Sequence, residues 1–230
     1  MGAQVNAGQL SIIVPVLDEA AGIVASLEAA APLRARGHEV IVVDGGSRDG
    51  TAALCRGHAD VVIEAPRGRA RQMNAGAALA QHEVLLFLHS DTRLPASADT
   101  AIAQALARGA SWGRFDVRIE GGSPMFPLIA ALMNRRSRWN GIATGDQAMF
   151  VQRALFERAG GFPEQPLMED IELSRRLRAV SRPACLRERV QTSGRRWEQR
   201  GVWRTILLMW RLRWRYWRGA SPEALAKAYR

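Results

Sequence analysis

The chain has 230 residues, of which 47% are hydrophobic and 23% are charged. This composition excludes a disordered chain and can bury the core of one α/β domain with an appendage. The net charge of +10 is unevenly placed, because residues 186–230 hold twelve Lys/Arg and only three Asp/Glu. A basic C-terminal segment is therefore indicated, whereas a nucleic-acid-binding surface over the whole molecule is not, and we expect no nucleic acid partner.

Apolar runs alternate with Ala-rich stretches through the first 120 residues. Continuous Val/Ile/Leu runs of this length predict buried strands of a mostly parallel, Rossmann-like α/β sheet flanked by helices. The predicted strands are Leu10–Val16, Glu39–Val43, Asp60–Glu64, Glu83–Leu88 and Ser111–Ile119, and the predicted helices are Ala20–Arg36, Thr51–Gly57, Arg69–Gln81 and Ala96–Ala107.

After Gly121-Gly122 the alternation loosens. The remaining pattern predicts mostly helices, with one short strand among them. The predicted elements are an apolar helix and turn over Ser123–Asn140, a strand over Ala148–Val151, helices over Arg153–Ala159, Met168–Val180 and Gly201–Gly219, and a final short helix from Ser221.

Acidic residues follow three of the predicted strands. Asp18-Glu19, Asp44 and Asp91 each come at or just after a strand end, and Glu169-Asp170 opens a later helix. In parallel sheets, ligands bind beyond the carboxyl ends of the strands. Carboxylates gathered there suit a cation or ribose hydroxyls, so the pattern predicts an enzyme that handles a nucleotide through a metal.

Other polar clusters have a structural alternative. Arg67, Arg69 and Arg71 precede and open a helix, where arginines and the helix dipole favour phosphate, but a solvated basic face explains them equally well. The turn around Asp146 is explained as well by chain reversal as by function. Residues 45–51 are compatible with an ordinary glycine turn and helix start, and they lack the Gly-Lys-Ser/Thr ending of a P-loop.

Four segments in order resemble family 2 glycosyltransferases with the GT-A fold, over about Leu10 to Leu177. These are Ser-Ile-Ile-Val-Pro-Val-Leu-Asp-Glu (11–19), Val-Val-Asp-Gly-Gly-Ser-Arg-Asp-Gly-Thr (42–51), Leu-His-Ser-Asp-Thr (88–92) and Met-Glu-Asp-Ile-Glu-Leu (168–173). More narrowly, Gly-Arg-Ala-Arg-Gln-Met-Asn (68–74) and the ending 222–229 are similar to the transferase 2 group associated with radical-SAM/selenodomain clusters.

The resemblance implies a metal-dependent, inverting glycosyltransferase that moves a sugar from a nucleotide-diphosphate donor to an acceptor that the sequence does not identify. It divides the chain into a domain over 1–185, with a nucleotide-binding part at about 10–120 and an acceptor-side part at about 121–185, and a basic helical extension over 186–230. The implied site residues are Pro15, Glu19, Asp44, Arg69, Arg71, Asn74 and Ser90 for the nucleotide, Asp91 for Mn²⁺ or Mg²⁺, Asp170 with Glu169 for proton abstraction, and Asp146, Arg196 and Trp197 for the acceptor side or a closing loop.

The chain departs from the family pattern at two positions. His89 stands where the first Asp of the Asp-x-Asp motif is expected, so this residue is a candidate for metal ligation, sugar contact or simple packing. Arg196-Trp197 resembles the end of the Gln-x-x-Arg-Trp motif of processive relatives, but Ser193 replaces its Gln, which argues against processivity.

The basic aromatic helix at 201–219 carries one apolar stripe. Trp203, Leu207, Trp210, Trp214 and Trp217 follow a 4-3-4-3 spacing, and arginines flank them. Such a helix suits either an anionic membrane surface or packing against the domain or a second copy of the chain. Both alternatives stay open.

Location is predicted from what the sequence lacks. Cys55 and Cys185 form neither a metal spacing nor a disulfide framework, and we find no signal peptide and no spanning segment. We expect a cytoplasmic protein, with a peripheral position at the inner face of the cytoplasmic membrane as the alternative.

Two competing functions remain. The first is a nucleotidyltransferase on a similar sheet, which would normally carry a Gly-rich basic loop that Leu17–Gly22 lacks. The second is a non-catalytic membrane or nucleic-acid adaptor that uses the basic tail.

Overall fold

The computed structural model describes residues 8–229. These residues form one mixed sheet of eight strands with helices around it. The strands are β1 (Leu10–Val16), β2 (Glu39–Asp44), β3 (Val61–Glu64), β4 (Val84–Phe87), β5 (Thr92–Arg93), β6 (Trp112–Glu120), β7 (Met149–Gln152) and β8 (Ala184–Ser193). The helices are α1 (Ile23–Arg34), α2 (Thr51–Cys55), α3 (Arg69–Leu79), α4 (Ala98–Ala107), α5 (Phe126–Asn140), α6 (Arg153–Arg158), α7 (Glu169–Val180), α8 (Arg195–Arg200), α9 (Val202–Trp217) and α10 (Pro222–Tyr229), with one 3-10 turn at Gly145–Gln147.

The strand order is β3-β2-β1-β4-β7-β6-β8-β5. The first four strands in this order are parallel, and their register sets Val16 beside Asp44 and Asp44 beside Glu64. β7 runs antiparallel to both β4 and β6, while β8 runs parallel to β6. The predicted α/β class and flanking helices are confirmed, and the carboxyl ends of β1, β2 and β4 meet at one edge.

β8 lies where no strand was predicted. It pairs with β6 from Gly113 to Glu120, with a register shift between Phe115 and Asp116. The predicted domain boundary at 185/186 therefore falls inside β8, and the sheet continues to Ser193. The short strand β5 and the helix α8 were also not predicted.

Alternate residues of the central strands pack on opposite faces of the sheet. Ile12 and Val14 face a cluster with α1 and α4, whereas Ile13 and Val43 face one with α3 and α7. This is the period of two expected for strands buried on both faces. The two helical layers hold the carboxyl edge of the sheet in place.

A buried arginine joins β6 to α5. Arg114 is fully buried, forms an ion pair with Asp116, and donates to the Ser137 hydroxyl at 3.0 Å and to the Asn134 carbonyl at 3.1 Å. Asn134 in turn bonds both backbone groups of Val117 through its side chain. This network fixes α5 against the sheet.

The inner face of α9 packs on α7 and α10. Leu212 and Leu225 are buried with Leu167 and Met168, and Leu208 and Tyr216 pack beside them. No helix within residues 8–229 has the length and apolar content needed to cross a membrane.

We expect Arg114→Ala to lower the free energy of unfolding by about 3–5 kcal/mol, because Asp116 would keep a buried charge with one partner fewer. Urea denaturation measures the change. Arg118→Ala is the matched control, since Arg118 lies exposed on the same strand and should have little effect. Equal effects of the two substitutions would contradict the structural role of the network.

Candidate active site

A cleft of about 450 Å³ opens at the carboxyl edge of the sheet. The ends of β1, β4 and β8 contribute to its lining, together with the N-termini of α3 and α7 and residues of α8, α9 and α10. Nine of the predicted site residues line it: Pro15, Glu19, Arg69, Ser90, Asp91, Asp146, Asp170, Arg196 and Trp197. Four others, Asp44, Arg71, Asn74 and Glu169, do not line the cleft.

The turn after β1 is held by the glycine turn after β2. The backbone N–H groups of Asp18, Glu19 and Ala20 donate to the side chains of residues 47, 51 and 49. In return, the Asp18 carboxylate accepts from the N–H of residue 48 at 2.8 Å. Residues 47–51 therefore do more than reverse the chain, because they position the loop that carries Glu19 into the cleft.

Asp44 lies beneath the cleft. Its carboxylate accepts hydrogen bonds from the backbone N–H and the hydroxyl of Ser47, and the residue is only 1% exposed. Its predicted contact with a nucleotide stays a prediction. Gln72, which was not predicted as a site residue, joins the same strands, because its amide donates to the carbonyls of Val16 and Val43 at 2.8 Å each.

Three polar residues of α3 that were predicted to bind the nucleotide contact the protein itself. Arg69 Nε lies 2.9 Å from Glu169 Oε1, and Arg71 Nε lies 3.1 Å from Glu164 Oε2. The Asn74 side chain bonds the backbone N–H and carbonyl of Phe162 at 2.9 and 2.8 Å. These contacts, which we name the α3 staple, tie α3 to the segment 162–169 that leads into α7.

Glu169 is the buried end of this staple. Its side chain is 3% exposed, against 39% for Arg69, and its Oε2 has no hydrogen-bond partner within residues 8–229. Burial raises the pKa of Glu169 above its ordinary value, and the charge of Arg69 opposes that shift without cancelling it. The adjacent Asp170 carboxylate adds to the rise.

Asp170 points the other way, into the cleft. Met168, directly before α7, has a left-handed backbone with φ 67°, and the two acids that follow take opposite directions. Asp170 Oδ2 accepts from the Gly145 N–H at 2.9 Å, and Oδ1 accepts from the Ile171 N–H at 2.8 Å. One carboxylate therefore serves the staple, and the other is held at the site.

His89 pairs with Asp146. His89 Nδ1 lies 3.4 Å from Asp146 Oδ1. The other side of the ring lies against Gly145, where an added Cβ would clash with Nε2. Burial opposes ionisation of Asp146, yet the hydrogen bond and charge of His89, with Arg69 and Arg196, hold the pKa of Asp146 below its ordinary value. His89 also lines the cleft, so metal ligation and sugar contact by this residue stay predictions beside the packing seen here.

Asp91 is the carboxylate suited to a cation. It is exposed in the cleft, and its backbone carbonyl accepts from the N–H of Ser193 at 3.1 Å. Among the described residues, no three His, Cys, Asp or Glu side chains converge to hold a metal ion. Mg²⁺ and Mn²⁺ commonly bind one or two carboxylates together with substrate phosphates and water, so a site built on Asp91 alone fits that chemistry.

The C-terminal segment covers one side of the cleft. Arg195 of α8 lies 3.4 Å from Glu19, and Arg196 pairs with the Tyr229 hydroxyl. Arg200 donates to the Tyr229 carbonyl at 2.9 Å, and both Arg196 and Arg200 stack on the tyrosine ring. α8 and α10 thus hold Arg196 and Trp197 against the site.

A second arginine has part of its guanidinium in the interior. Arg136 of α5 has Nε and Nη2 buried without a hydrogen-bond partner in residues 8–229. Burial lowers its pKa and Arg114 adds to this, while the charges of Asp170 and Asp146 oppose it. Sequence reasoning missed this residue because α5 was predicted only as an apolar helix.

Comparison with known proteins identifies the architecture. Residues 11–160 match the sequence profile of Glycosyl transferase family 2. The chain belongs to this family. It is a glycosyltransferase with the GT-A fold, as the four sequence segments predicted, whereas the narrower resemblance to the radical-SAM-associated group stays a prediction.

Solved structures share the fold at low identity. The mannosyltransferase PcManGT from Pyrobaculum calidifontis, in complex with GDP-Man and Mn²⁺, matches with a TM-score of 0.65 and 21% identity. The match covers 96% of this chain and 68% of the mannosyltransferase chain. S. aureus TarS 1–349 in complex with UDP-GlcNAc matches with a TM-score of 0.64 and 20% identity, over 80% of this chain and 58% of the TarS chain.

A third similar structure is glucosyl-3-phosphoglycerate synthase from Mycobacterium tuberculosis in complex with Mn²⁺, UDP and glucosyl-3-phosphoglycerate. It matches with a TM-score of 0.55 and 19% identity, over 79% of this chain and 70% of the synthase chain. No curated protein matches the chain in sequence. Similarity at this level of identity shows a shared fold.

The raised pKa of Glu169 predicts a pH dependence of stability. The folded state holds the Glu169 proton more tightly than the unfolded state, so ionisation of this group removes stability as pH rises from the ordinary glutamate range through its folded pKa. Wild type should therefore lose stability relative to Glu169→Gln across that interval. Thermal unfolding between pH 4 and about 8 measures the two curves.

Glu157→Gln, at an exposed position on α6, is the control for that comparison and should follow wild type. Parallel curves for wild type and Glu169→Gln would show that the buried carboxyl does not behave as its surroundings indicate.

Proposed function

We propose that this glycosyltransferase moves a sugar from a nucleotide-diphosphate donor to an acceptor hydroxyl, with a divalent cation and with inversion at the anomeric carbon. One observation carries the proposal. A single cleft holds Asp91, which follows a buried strand at the carboxyl edge, and Asp170, which opens α7. The first suits a cation that serves the donor, and the second suits proton abstraction.

In this proposal, the donor lies along the carboxyl ends of β1 and β4. Pro15, Glu19 and Ser90 line this side, and the Arg69 guanidinium lies within the cleft at the N-terminus of α3. The charges of Glu169, Asp170 and Asp146 outweigh burial and raise the pKa of Arg69, so it stays positive beside a diphosphate. Structures of the same fold with GDP-Man and Mn²⁺ or with UDP-GlcNAc support a donor of this class.

Asp91 would hold the cation. When bound, Mg²⁺ or Mn²⁺ neutralises the charge that develops on the leaving diphosphate. Arg196, held in the cleft by Tyr229, adds positive charge from the C-terminal side.

Asp170 acts as the general base. Two backbone N–H groups hold its carboxylate, so its orientation is set before the acceptor arrives. It takes the proton from the acceptor hydroxyl as that oxygen attacks the anomeric carbon, and the nucleotide diphosphate leaves from the opposite face. A single displacement of this kind inverts the configuration.

Family membership favours glycosyl transfer over nucleotidyl transfer, and the assembled cleft favours an enzyme over a non-catalytic adaptor. We further propose a cytoplasmic location with peripheral attachment to the membrane. The uncovered aromatic face of α9 supports this attachment.

We expect Asp91→Ala to abolish Mn²⁺-dependent binding of UDP or GDP without loss of folding. The reason is that Asp91 is the exposed carboxylate at the donor side of the cleft. Calorimetric titration with and without the metal measures the effect. Glu83→Ala is the control, because Glu83 lies exposed just before the start of β4, whereas Asp91 follows the end of that strand. Undiminished metal-dependent affinity in Asp91→Ala would remove this residue from the cation site.

We expect Asp170→Asn to keep donor affinity and to lower turnover by about 10²-fold or more, the usual scale for loss of a general base. Release of nucleotide from UDP- or GDP-sugars provides the assay, with water as the slow acceptor. Glu172→Gln, two residues further along α7, should retain turnover because its carboxylate binds Arg175 and Arg176. Normal turnover by Asp170→Asn would assign the base to another residue.

A further inference from the structure

We propose that the exposed face of α9 docks onto the surface of an anionic lipid bilayer and holds the mouth of the cleft at the headgroups. The docking face consists of the Trp stripe and a neighbouring row of arginines. This docking proposal rests on the proposed function only in taking the cleft as the active site. The Trp stripe is Trp203, Leu207, Trp210, Trp214 and Trp217.

The Trp stripe is not used to hold α9 on the protein. Its side chains are 66, 64, 66, 57 and 81% exposed, from Trp203 to Trp217. The opposite face of α9 packs on α7 and α10 through Leu208, Leu212 and Tyr216. Scattered exposed apolar residues are ordinary, but a contiguous stripe with four tryptophans marks an interaction surface.

A row of arginines runs beside the stripe. Arg204, Arg211 and Arg218 are exposed and follow one another at intervals of seven residues. On a helix of 3.6 residues per turn, they lie about 60–100° from the centre of the stripe. Arg218 also stacks over the Trp214 ring at 5.2 Å. α9 contains no acidic residue.

This combination identifies the partner as an anionic bilayer. Trp favours the boundary between headgroups and acyl chains, and arginines beside it meet lipid phosphates. A second copy of the chain is a poorer partner, because two C-terminal segments of strong positive charge would be brought together. The helix is too short and too charged to span the membrane.

The cleft lies beside α9, on the side away from the arginine row. Thr205, Met209 and Arg213 line it, at about 160°, 120° and 80° from the centre of the stripe, so Arg213 is the lining residue of α9 nearest to the stripe. Docking of the stripe would therefore bring the mouth of the cleft next to the headgroups. This geometry favours an acceptor hydroxyl presented at the membrane surface.

Flotation with vesicles tests the docking. Full-length protein is mixed with vesicles of phosphatidylcholine containing 30% phosphatidylglycerol (roughly the anionic fraction that gives a clear surface potential) and with phosphatidylcholine alone. Wild type should float with the anionic vesicles, less with neutral ones, and less again at high salt, because salt screens the attraction. Absence from the anionic floated fraction at low salt would overturn the proposal.

Two triple substitutions separate the docking face from net charge. Arg204, Arg211 and Arg218 changed together to Gln should weaken binding by about 10²-fold, from the usual contribution of each basic residue near such a surface. Arg56, Arg108 and Arg158, all exposed elsewhere, lose the same charge when changed to Gln and should bind like wild type. Equal losses in the two variants would refute a specific face.

Trp210, Trp214 and Trp217 changed together to Ala should also abolish flotation while the melting temperature stays near that of wild type. A large fall in melting temperature, or wild-type dimers in light scattering that these changes disrupt while vesicles are ignored, would assign the stripe to packing or to a second copy.

Calorimetry of UDP or GDP with Mn²⁺ on the same proteins keeps the two proposals apart. Nucleotide binding without flotation would overturn the docking face and the membrane attachment but not the proposed transfer reaction. Flotation without nucleotide binding would sink only the proposed function.

Discussion

The ion pair between Arg69 and Glu169 is the contact on which the site depends. It joins the N-terminus of α3, which follows β3, to the N-terminus of α7, which carries Asp170 at the cleft. Arg71 and Asn74 extend this joint along α3 to Glu164 and Phe162. Without the ion pair, the N-terminus of α3 would lose its charged contact with the N-terminus of α7.

The same ion pair explains why two adjacent acids open α7. A buried carboxylate costs free energy unless it is paired, and the Arg69 guanidinium supplies that partner for Glu169. Asp170 is then free to face the cleft with its orientation set by backbone N–H groups. The sequence signal of two neighbouring acids therefore contains one residue that is paired inside the protein and one that lines the cleft.

Part of the cleft lining could be predicted from sequence, because buried parallel strands are continuous apolar runs and the residues after them must lie at one edge. Glu19 and Asp91 were found in this way. β8 could not be predicted in this way, because it contains the charged segment Leu186-Arg-Glu-Arg-Val-Gln instead of a continuous apolar run. Its strand conformation comes from pairing with β6. The pairing of His89 with Asp146 joins residues far apart in sequence, which no local pattern indicates.

The α3 staple shows a second limit of sequence reasoning. Arginines at a helix start favour phosphate and carboxylate equally, since both offer oxygens to a guanidinium. Only the fold decides which of these groups lies nearby, and here Glu169 pairs with Arg69 and Glu164 pairs with Arg71. Likewise, the spacing of the tryptophans predicts a stripe on one face of α9, but whether the protein covers that stripe depends on how α9 packs. The Leu and Tyr side chains take the inner position instead.

The connection between β8 and the Asp91 loop has a consequence for the order of assembly. The Ser193 N–H donates to the Asp91 carbonyl, and the Thr92 and Thr192 hydroxyls are hydrogen-bonded at 3.0 Å across 100 residues of sequence. Such a long-range closure forms late, because its entropy must be offset by contacts that are themselves distant in sequence. On the ribosome, β1 to β4 emerge long before β8, so the loop that carries Asp91 gains this support only after β8 has been made. A nascent chain that stops before β8 would contain strands β1 to β4 but not a complete cleft.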